Sequence, residues 1–311
     1  MAVHGIHHVT AVSAQIEKNL EFYTSVLGLR LVKKSVNQDD VSAYHLFYAD
    51  KSGSPGTDMT FFDWPTIGQE RPGIGSVGLT TFRIPGASLD AWEERLREAG
   101  SGPVRDLDPA DRQRITFSDP EGQRIALVDD DGLPNQVEPW PNVVPVEQAI
   151  RGIFGVNLDS SNPDATRRVL TELLGFQDVD GVRFTVQSEN SFGEVVVREP
   201  EGRGFARLGA GGVHHVAFRV NDDQALLEYQ DRIEAMGLRS SGYIDRFYFH
   251  SLYFREPGGI LFELATDGPG FASDESEETL GEKLALPPFL EGRRKEIEAN
   301  LKPLPRSNSS S

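Results

Sequence analysis

Apolar and polar positions along the chain follow a pattern that repeats four times. Each unit opens with a strand-like run, continues as an amphipathic helix, stops at a glycine and then adds further strand-like runs. The first unit opens with "GIHHVTAVS". In its helix, "IEKNLEFYTSVLG", Ile16, Leu20, Tyr23 and Leu27 lie three or four residues apart, which puts them on one face, and Gly28 is the stop. Runs at "YHLFYAD" and "TDMTFFDW" then read as strands. The second unit opens with "GSVGLTTFRI"; its helix, "SLDAWEERLREAG", has Ser88 as N-cap and Ala91, Trp92 and Leu96 facing inward. The third pairs "GIFGVNLDS" with "PDATRRVLTELLG", and the fourth pairs "GVHHVAFRV" with "DQALLEYQDRIEAMG".

A second phrase recurs towards the unit ends. "DPEGQRIALVD" at 119–129, "EPGGILFELAT" at 256–266 and "EPEGRGFARLG" at 199–209 each join an acid, a proline and a glycine turn to a strand-like run. Four βαβββ modules of about 55–75 residues are too long and too few for a solenoid. They predict an α+β fold in which paired modules each supply half of a curved, mixed sheet. Residues 1–135 hold the N-terminal pair of modules and 150–270 the C-terminal pair. The Pro-, Asn- and acid-rich stretch 130–149 reads as the linker between them. Residues 271–311 form a tail with a short polar helix from 287 and a "SNSSS" end expected to be disordered.

Composition narrows the chemistry. The 311 residues contain no cysteine, which excludes disulfides, thiolate metal sites and cysteine nucleophiles. The formal charge of −17 repels nucleic-acid phosphates and anionic membranes. It suits a mildly acidic cytoplasmic protein or one adapted to high salt. No apolar run reaches the roughly 18 residues of a membrane span. "MAVHGIHHVT" lacks the basic-then-apolar order of a signal peptide, so a cytoplasmic location is expected. "GAGG" at 209–212 precedes a strand rather than following one, a poor dinucleotide fingerprint.

The modules differ in what they carry. Of seven histidines, four stand as pairs at equivalent places in units one and four: His7 with His8, and His214 with His215. Units two and three have "SVGL" and "IFGV" there. Glu263 interrupts the apolar closing strand of unit four, where a carboxylate is costly to bury without a cation or donors. Taken singly, a histidine on a strand is more often a packed residue, and such an acid more often an edge position. Together, at matched points of a repeat, they point to a site. Because side chains alternate along a strand, one member of each pair reaches a given face. Two histidines and a carboxylate would make a facial triad suited to non-haem Fe(II), with positions left for substrate and dioxygen.

The chain resembles the vicinal-oxygen-chelate superfamily, which includes glyoxalase I, bleomycin-resistance proteins and extradiol dioxygenases. Within it, the chain is most similar to the four-module ring-cleaving dioxygenases that open hydroquinones. The resemblance rests on "GIHHVTAVS", "FYTSVLGLRLVKKSVNQDD", "GSPGTDMTFFDWP", "GVHHVAF", "DRFYFHSLYFREPGGILFELATD" and "LPPFLEGRRKEIE". It implies that His8, His215 and Glu263 hold Fe2+, with Mn2+ not separable from sequence. Modules one and four would then pair around the metal, and modules two and three would pair without one. His7, His214 and Thr10 would lie close by, His7 or His214 as a base for the substrate hydroxyl. Tyr253 would hydrogen-bond a substrate oxygen, and Arg246 would stabilise negative charge. His250 departs from the family pattern, which has Arg there in many relatives. His45 and His4 are read as structural or surface residues. The implied partners are a small aromatic diol and O2, with no nucleic acid or membrane and with homo-oligomerisation left open. Catechol extradiol cleavage, an oxygen-independent glyoxalase-type isomerase or transferase, and a metal-free binding protein are the alternatives.

Overall fold

The computed structural model describes residues 1–130, 132–133, 137–188, 191–199 and 202–305. Module one comprises β1 (Ile6–Ser13), α1 (Ile16–Glu21), β2 (Arg30–Asn37), β3 (Asp40–Ala49) and β4 (Asp58–Asp63). Module two comprises β5 (Ser76–Ile84), α2 (Leu89–Glu98), β6 (Val104–Leu107), β7 (Gln113–Ser118) and β8 (Arg124–Asp129). Module three has β9 (Ile153–Asp159), α3 (Pro163–Arg168), β10 (Gln177–Asp178), β11 (Arg183–Ser188) and β12 (Ser191–Arg198). Module four has β13 (Val213–Val220), α4 (Asp223–Ala235), β14 (Ser240–Asp245), β15 (Phe249–Arg255) and β16 (Leu261–Pro269).

Two eight-stranded mixed sheets result. One runs β14-β15-β16-β13-β1-β4-β3-β2 and joins module four to module one; the other runs β10-β11-β12-β9-β5-β8-β7-β6 and joins module three to module two. The modules that are outermost in sequence therefore share a sheet, as the α+β reading with one-to-four pairing requires. On the helix-facing side, Val9, Tyr48 and Phe61 pack with Leu20 and Tyr23. On the opposite side of the first sheet a separate apolar cluster gathers Phe47, Ala217, Phe249 and Phe271. Among the described residues, no helix is long and apolar enough to cross a membrane.

Asp119 and Glu256 of the recurring phrases share a task with Asp50 of module one. Asp50 Oδ1 accepts from the backbone N–H groups of Ser52 and Ser54, at 3.2 and 2.8 Å. Asp119 does the same for Glu121 and Gln123, at 2.8 and 2.9 Å, and Glu256 for Gly258 and Ile260, at 2.8 and 2.9 Å. Each carboxylate satisfies the donors of the tight turn that feeds a module's last strand.

Several local expectations change. Ser88 sits at the N-cap of α2, but its hydroxyl donates to Pro85 O rather than capping a helix N–H. Ala91 is exposed; Leu89, Trp92 and Leu96 form the buried stripe. The helices of modules one and three do not finish as α-helix: Phe22–Val26 and Val169–Leu173 are wider π turns. The run after "EPEG" is not a sheet strand. β12 has already closed module three, and this run instead makes isolated bridges to the 69–74 segment, Arg71 with Arg207 and Ile74 with Phe205. Pro200 and Glu201 of that phrase lie outside the described residues, as do parts of the 130–149 linker and the terminal "SNSSS". The tail forms two short helices, α5 (Pro288–Glu291) and α6 (Arg294–Asn300), which bury Leu290 and Ile297. It also shields edge strand β2 through a Lys34–Leu284 bridge.

Candidate metal centre and substrate pocket

β1 and β13 meet antiparallel at the centre of the first sheet, and each carries a register irregularity at its histidine pair. Ile6 pairs with Phe218 but His8 pairs with Ala217, which leaves His7 as the extra residue. Thr10 pairs with His215 but Ala11 pairs with Val213, which leaves His214 extra. Such bulges re-aim side chains. Here they bring neighbouring rings together: His7 Nδ1 lies 2.9 Å from His8 Nδ1, and His214 Nδ1 lies 2.8 Å from His215 Nδ1.

The second member of each pair meets Glu263, which β16 supplies from the strand beside β13. His8 Nε2 is 3.3 Å from His215 Nε2 and 3.2 Å from Glu263 Oε2, and His215 Nε2 is 2.8 Å from Glu263 Oε2. All three residues are buried. Three donors at right angles around one first-row ion, with bonds of about 2.1 Å, stand about 3 Å apart, so the observed triangle fits a single ion.

The hydrogen bonding supports that fit. His7 Nε2 faces the carbonyl oxygen of Thr266 at 3.1 Å, so it must carry the proton and donate. Burial, aided by His8, lowers the His7 pKa to about 3, so the ring is neutral and its Nδ1 is an acceptor. His8 Nδ1–H then donates to His7, and His8 Nε2 keeps a free lone pair directed at the triangle. Glu263 Oε2 is a buried oxygen without a hydrogen-bond donor among the described residues, despite its short approach to His215. The three atoms converge as ligands would, not as a donor–acceptor pair. The other Glu263 oxygen, Oε1, accepts from Ser251 Oγ at 2.6 Å.

Above this triangle lies a pocket with an empty volume of about 480 Å³ that opens to solvent. His45, Phe47, Phe62, Phe249 and Tyr253 give it aromatic walls. His45, read from sequence as structural or surface, is part of this wall. Its ring packs on Phe47 and Phe62, and its Nε2 lies 3.0 Å from Thr60 Oγ1. Thr60 also bonds Thr10 Oγ1 at 2.8 Å, which links Thr10 to the pocket through two side chains. Burial and the nearby His8 and His215 hold the His45 pKa well below normal, so its ring is neutral.

Tyr253 stacks edge-on against His215, with centroids 5.6 Å apart, and burial next to Glu263 raises its pKa, so it remains an O–H donor. Arg246 lies over the Tyr253 ring at 5.4 Å. His214 faces a different, open cavity between the two sheets, lined also by Val77, Val213 and Ile260. His250 is not in the pocket wall: its Nδ1 bonds Asp223 at the start of α4, at 2.5 Å, so its departure from the family pattern is peripheral. Ser251 was not singled out from sequence; its alternation with Tyr253 on β15, beside the Glu263 strand, is the signal that could have found it.

The sequence profile of the Glyoxalase/Bleomycin resistance protein/Dioxygenase superfamily matches residues 5–127 and 156–264. The chain belongs to this superfamily. MhqA of Bacillus subtilis (strain 168), named as a ring-cleaving dioxygenase, is 44% identical and covers 98% of this chain and all of its own. The chlorohydroquinone/hydroquinone 1,2-dioxygenase of Sphingobium indicum is 31% identical, with 95% of each chain covered. A crystal structure from Bacillus subtilis, named as a dioxygenase, superposes with a TM-score of 0.90 at 38% identity, covering 98% of both chains. Glyoxalase I from Zea mays shares the fold alone, with a TM-score of 0.61 at 14% identity over 85% of this chain and 92% of that one. Within the superfamily, the full-length relatives place this chain among enzymes of the ring-cleaving dioxygenase type.

Proposed function

We propose that the protein is an Fe(II)-dependent dioxygenase that opens a hydroquinone-type aromatic diol with O2. The observation that carries this reading is the convergence of two imidazole nitrogens and a carboxylate oxygen at the floor of an aromatic-walled pocket. His8, His215 and Glu263 would hold the ion, and the same donors accept Mn2+. When bound there, the metal supplies the electronic link between diol and dioxygen and orients both.

The remaining work falls to the chain's own side chains. His7 has both ring nitrogens engaged and so positions His8. His214 positions His215 through the equivalent contact. The Tyr253 hydroxyl donates to a substrate oxygen, and Arg246 lies over the Tyr253 ring. Phe47, Phe62 and Phe249 exclude water and stack on a ring. The name of the Sphingobium indicum relative supports the hydroquinone class over a catechol.

Oxygen uptake tests the reading. The protein is purified without oxygen, loaded with Fe(II) and mixed with methylhydroquinone or, separately, catechol. The expected result is O2 consumption matching the loss of aromatic absorbance, fastest with the hydroquinone and abolished in Glu263→Ala. Full iron occupancy with no uptake for either diol would overturn it and favour oxygen-independent isomerase chemistry.

A further inference from the structure

The tip of the β2–β3 hairpin and the β14–β15 turn meet at the mouth of the pocket. Gln38 Nε2 donates to Arg246 O at 2.8 Å. Both terminal nitrogens of Arg246 reach Asp39, at 3.2 Å to Oδ1 and 3.0 Å to Oδ2. Arg246 is 19% exposed and Asp39 74% exposed, so the acid is the solvent-side partner and the guanidinium the pocket-side one. Arg246 is the one lysine or arginine among the described residues that line the pocket. A two-pronged pair of this kind uses the arginine's planar fork on an internal carboxylate.

From this geometry we infer that Asp39 sets the charge of the ring this site accepts, so that uncharged hydroquinones are admitted and carboxylated ones refused. The inference rests on the proposed function. A ring carboxylate entering the pocket needs a cation once it leaves water. The one guanidinium among the described pocket residues already neutralises Asp39, and the incoming anion would also face the Asp39 charge. An alkyl- or halogen-substituted hydroquinone needs no such partner. The chain's net charge of −17 works in the same direction before the ligand reaches the mouth. Asp39 lines the pocket at its mouth, and among the described residues its side chain pairs with Arg246 rather than with the triad. It is a positioning residue that acts through Arg246.

The test is calorimetric binding without oxygen to the Fe(II)-loaded protein, using methylhydroquinone and its carboxylated counterpart 2,5-dihydroxybenzoate. The natural protein should prefer methylhydroquinone. Asp39→Asn should tighten 2,5-dihydroxybenzoate by about tenfold, the scale of one charge-assisted contact at a partly exposed site, with methylhydroquinone changed less than about twofold. Asp39→Glu should restore the natural preference. Asp39→Asn combined with Arg246→Gln should cancel the gain. An unchanged preference in Asp39→Asn, or a gain that survives loss of Arg246, overturns the inference while the diol site stands. Failure of the natural protein to bind either ring overturns both.

Discussion

Replacing Ser251 by alanine isolates the group that aims Glu263. The Ser251 hydroxyl donates to Oε1 at 2.6 Å, and both side chains are fully buried. Without it, Oε1 is a desolvated carboxylate oxygen with no donor, and the carboxylate is free to turn Oε2 out of the triangle. A hydrogen bond to a charged group contributes about 1.5–3 kcal/mol. Loss of an outer-shell partner weakens metal binding by about 10–100-fold, which is about 1.4–2.7 kcal/mol. The two ranges, reached from different directions, meet near 2 kcal/mol. The cavity left by one hydroxyl adds little. Titration of Fe(II) against a competing chelator should show the 10–100-fold loss for Ser251→Ala, and urea unfolding of the metal-free protein should show a cost of up to about 2 kcal/mol. Metal affinity within twofold of the natural protein would refute the account, because Oε1 would then need no help to hold Oε2 in place.

Two further predictions concern stability. Burial, with Asp119 and Asp159, raises the Glu70 pKa to about 7. A raised carboxylate costs nothing while protonated in both states, and its penalty develops as pH climbs from the ordinary value of about 4.3 to about 7. Glu70→Gln should therefore raise the urea midpoint at pH 8 by an equivalent of about 1–2 kcal/mol, discounted for partial exposure, and change little at pH 4; equal effects at both pH values would contradict the assignment. Lys33 is fully buried, bonds Asp274 and Glu275 of the tail at 2.8 and 2.5 Å, and lies over the Tyr248 ring. Lys33→Met should cost about 3 kcal/mol and open residues 271–286 to limited proteolysis; an unchanged midpoint and cleavage pattern would show that the ion pairs do not hold the tail.

How much of this could be read in advance depended on whether a feature repeats locally. The histidine pairs stood out because equivalent strands in modules two and three lack them, and Glu263 because an acid in "ILFELAT" breaks an apolar run. Module pairing followed from where those residues fell. The bulges at His7 and His214 were not legible, since an extra residue shows only against a partner strand. Ser251, His45 and Asp39 were missed for a related reason. Each acts across a contact that joins distant stretches: Ser251 to Glu263 across β15 and β16, His45 to Thr60 across β3 and β4, and Asp39 to Arg246 across two modules. The π turns that end two helices were equally hidden, because the apolar spacing of "IEKNLEFYTSVLG" satisfies a plain α-helix.

The second sheet shows why the same pattern yields a site in only one cup. Gly78 is the extra residue of a bulge in β5, the place that His7 holds in β1, and Gly155 stands where the first sheet has His215. A Cβ on Gly78 would lie 2.5 Å from Asp159 Oδ2 and 2.6 Å from Arg198 Nη2, and one on Gly155 would lie 2.4 Å from Glu194 O. Neither position has room for a side chain. The space is taken by charge already paired within the protein: Arg198 bonds Asp159 at 2.9 Å, and Arg112 reaches Asp108 and Glu194 at 2.6 Å each while lying over the Phe154 ring. Ala126, at the place of Glu263 in the repeated phrase, offers no ligand. In the first cup no arginine among the described residues pairs with the carboxylate, which meets two histidines instead. The difference between the two cups is therefore whether the buried acid is given an internal cation. Both sheets carry the same two bulges; where the acid has its cation the sheet closes on an ion pair, and where it does not the acid stands beside two histidines at a spacing that a metal ion fits.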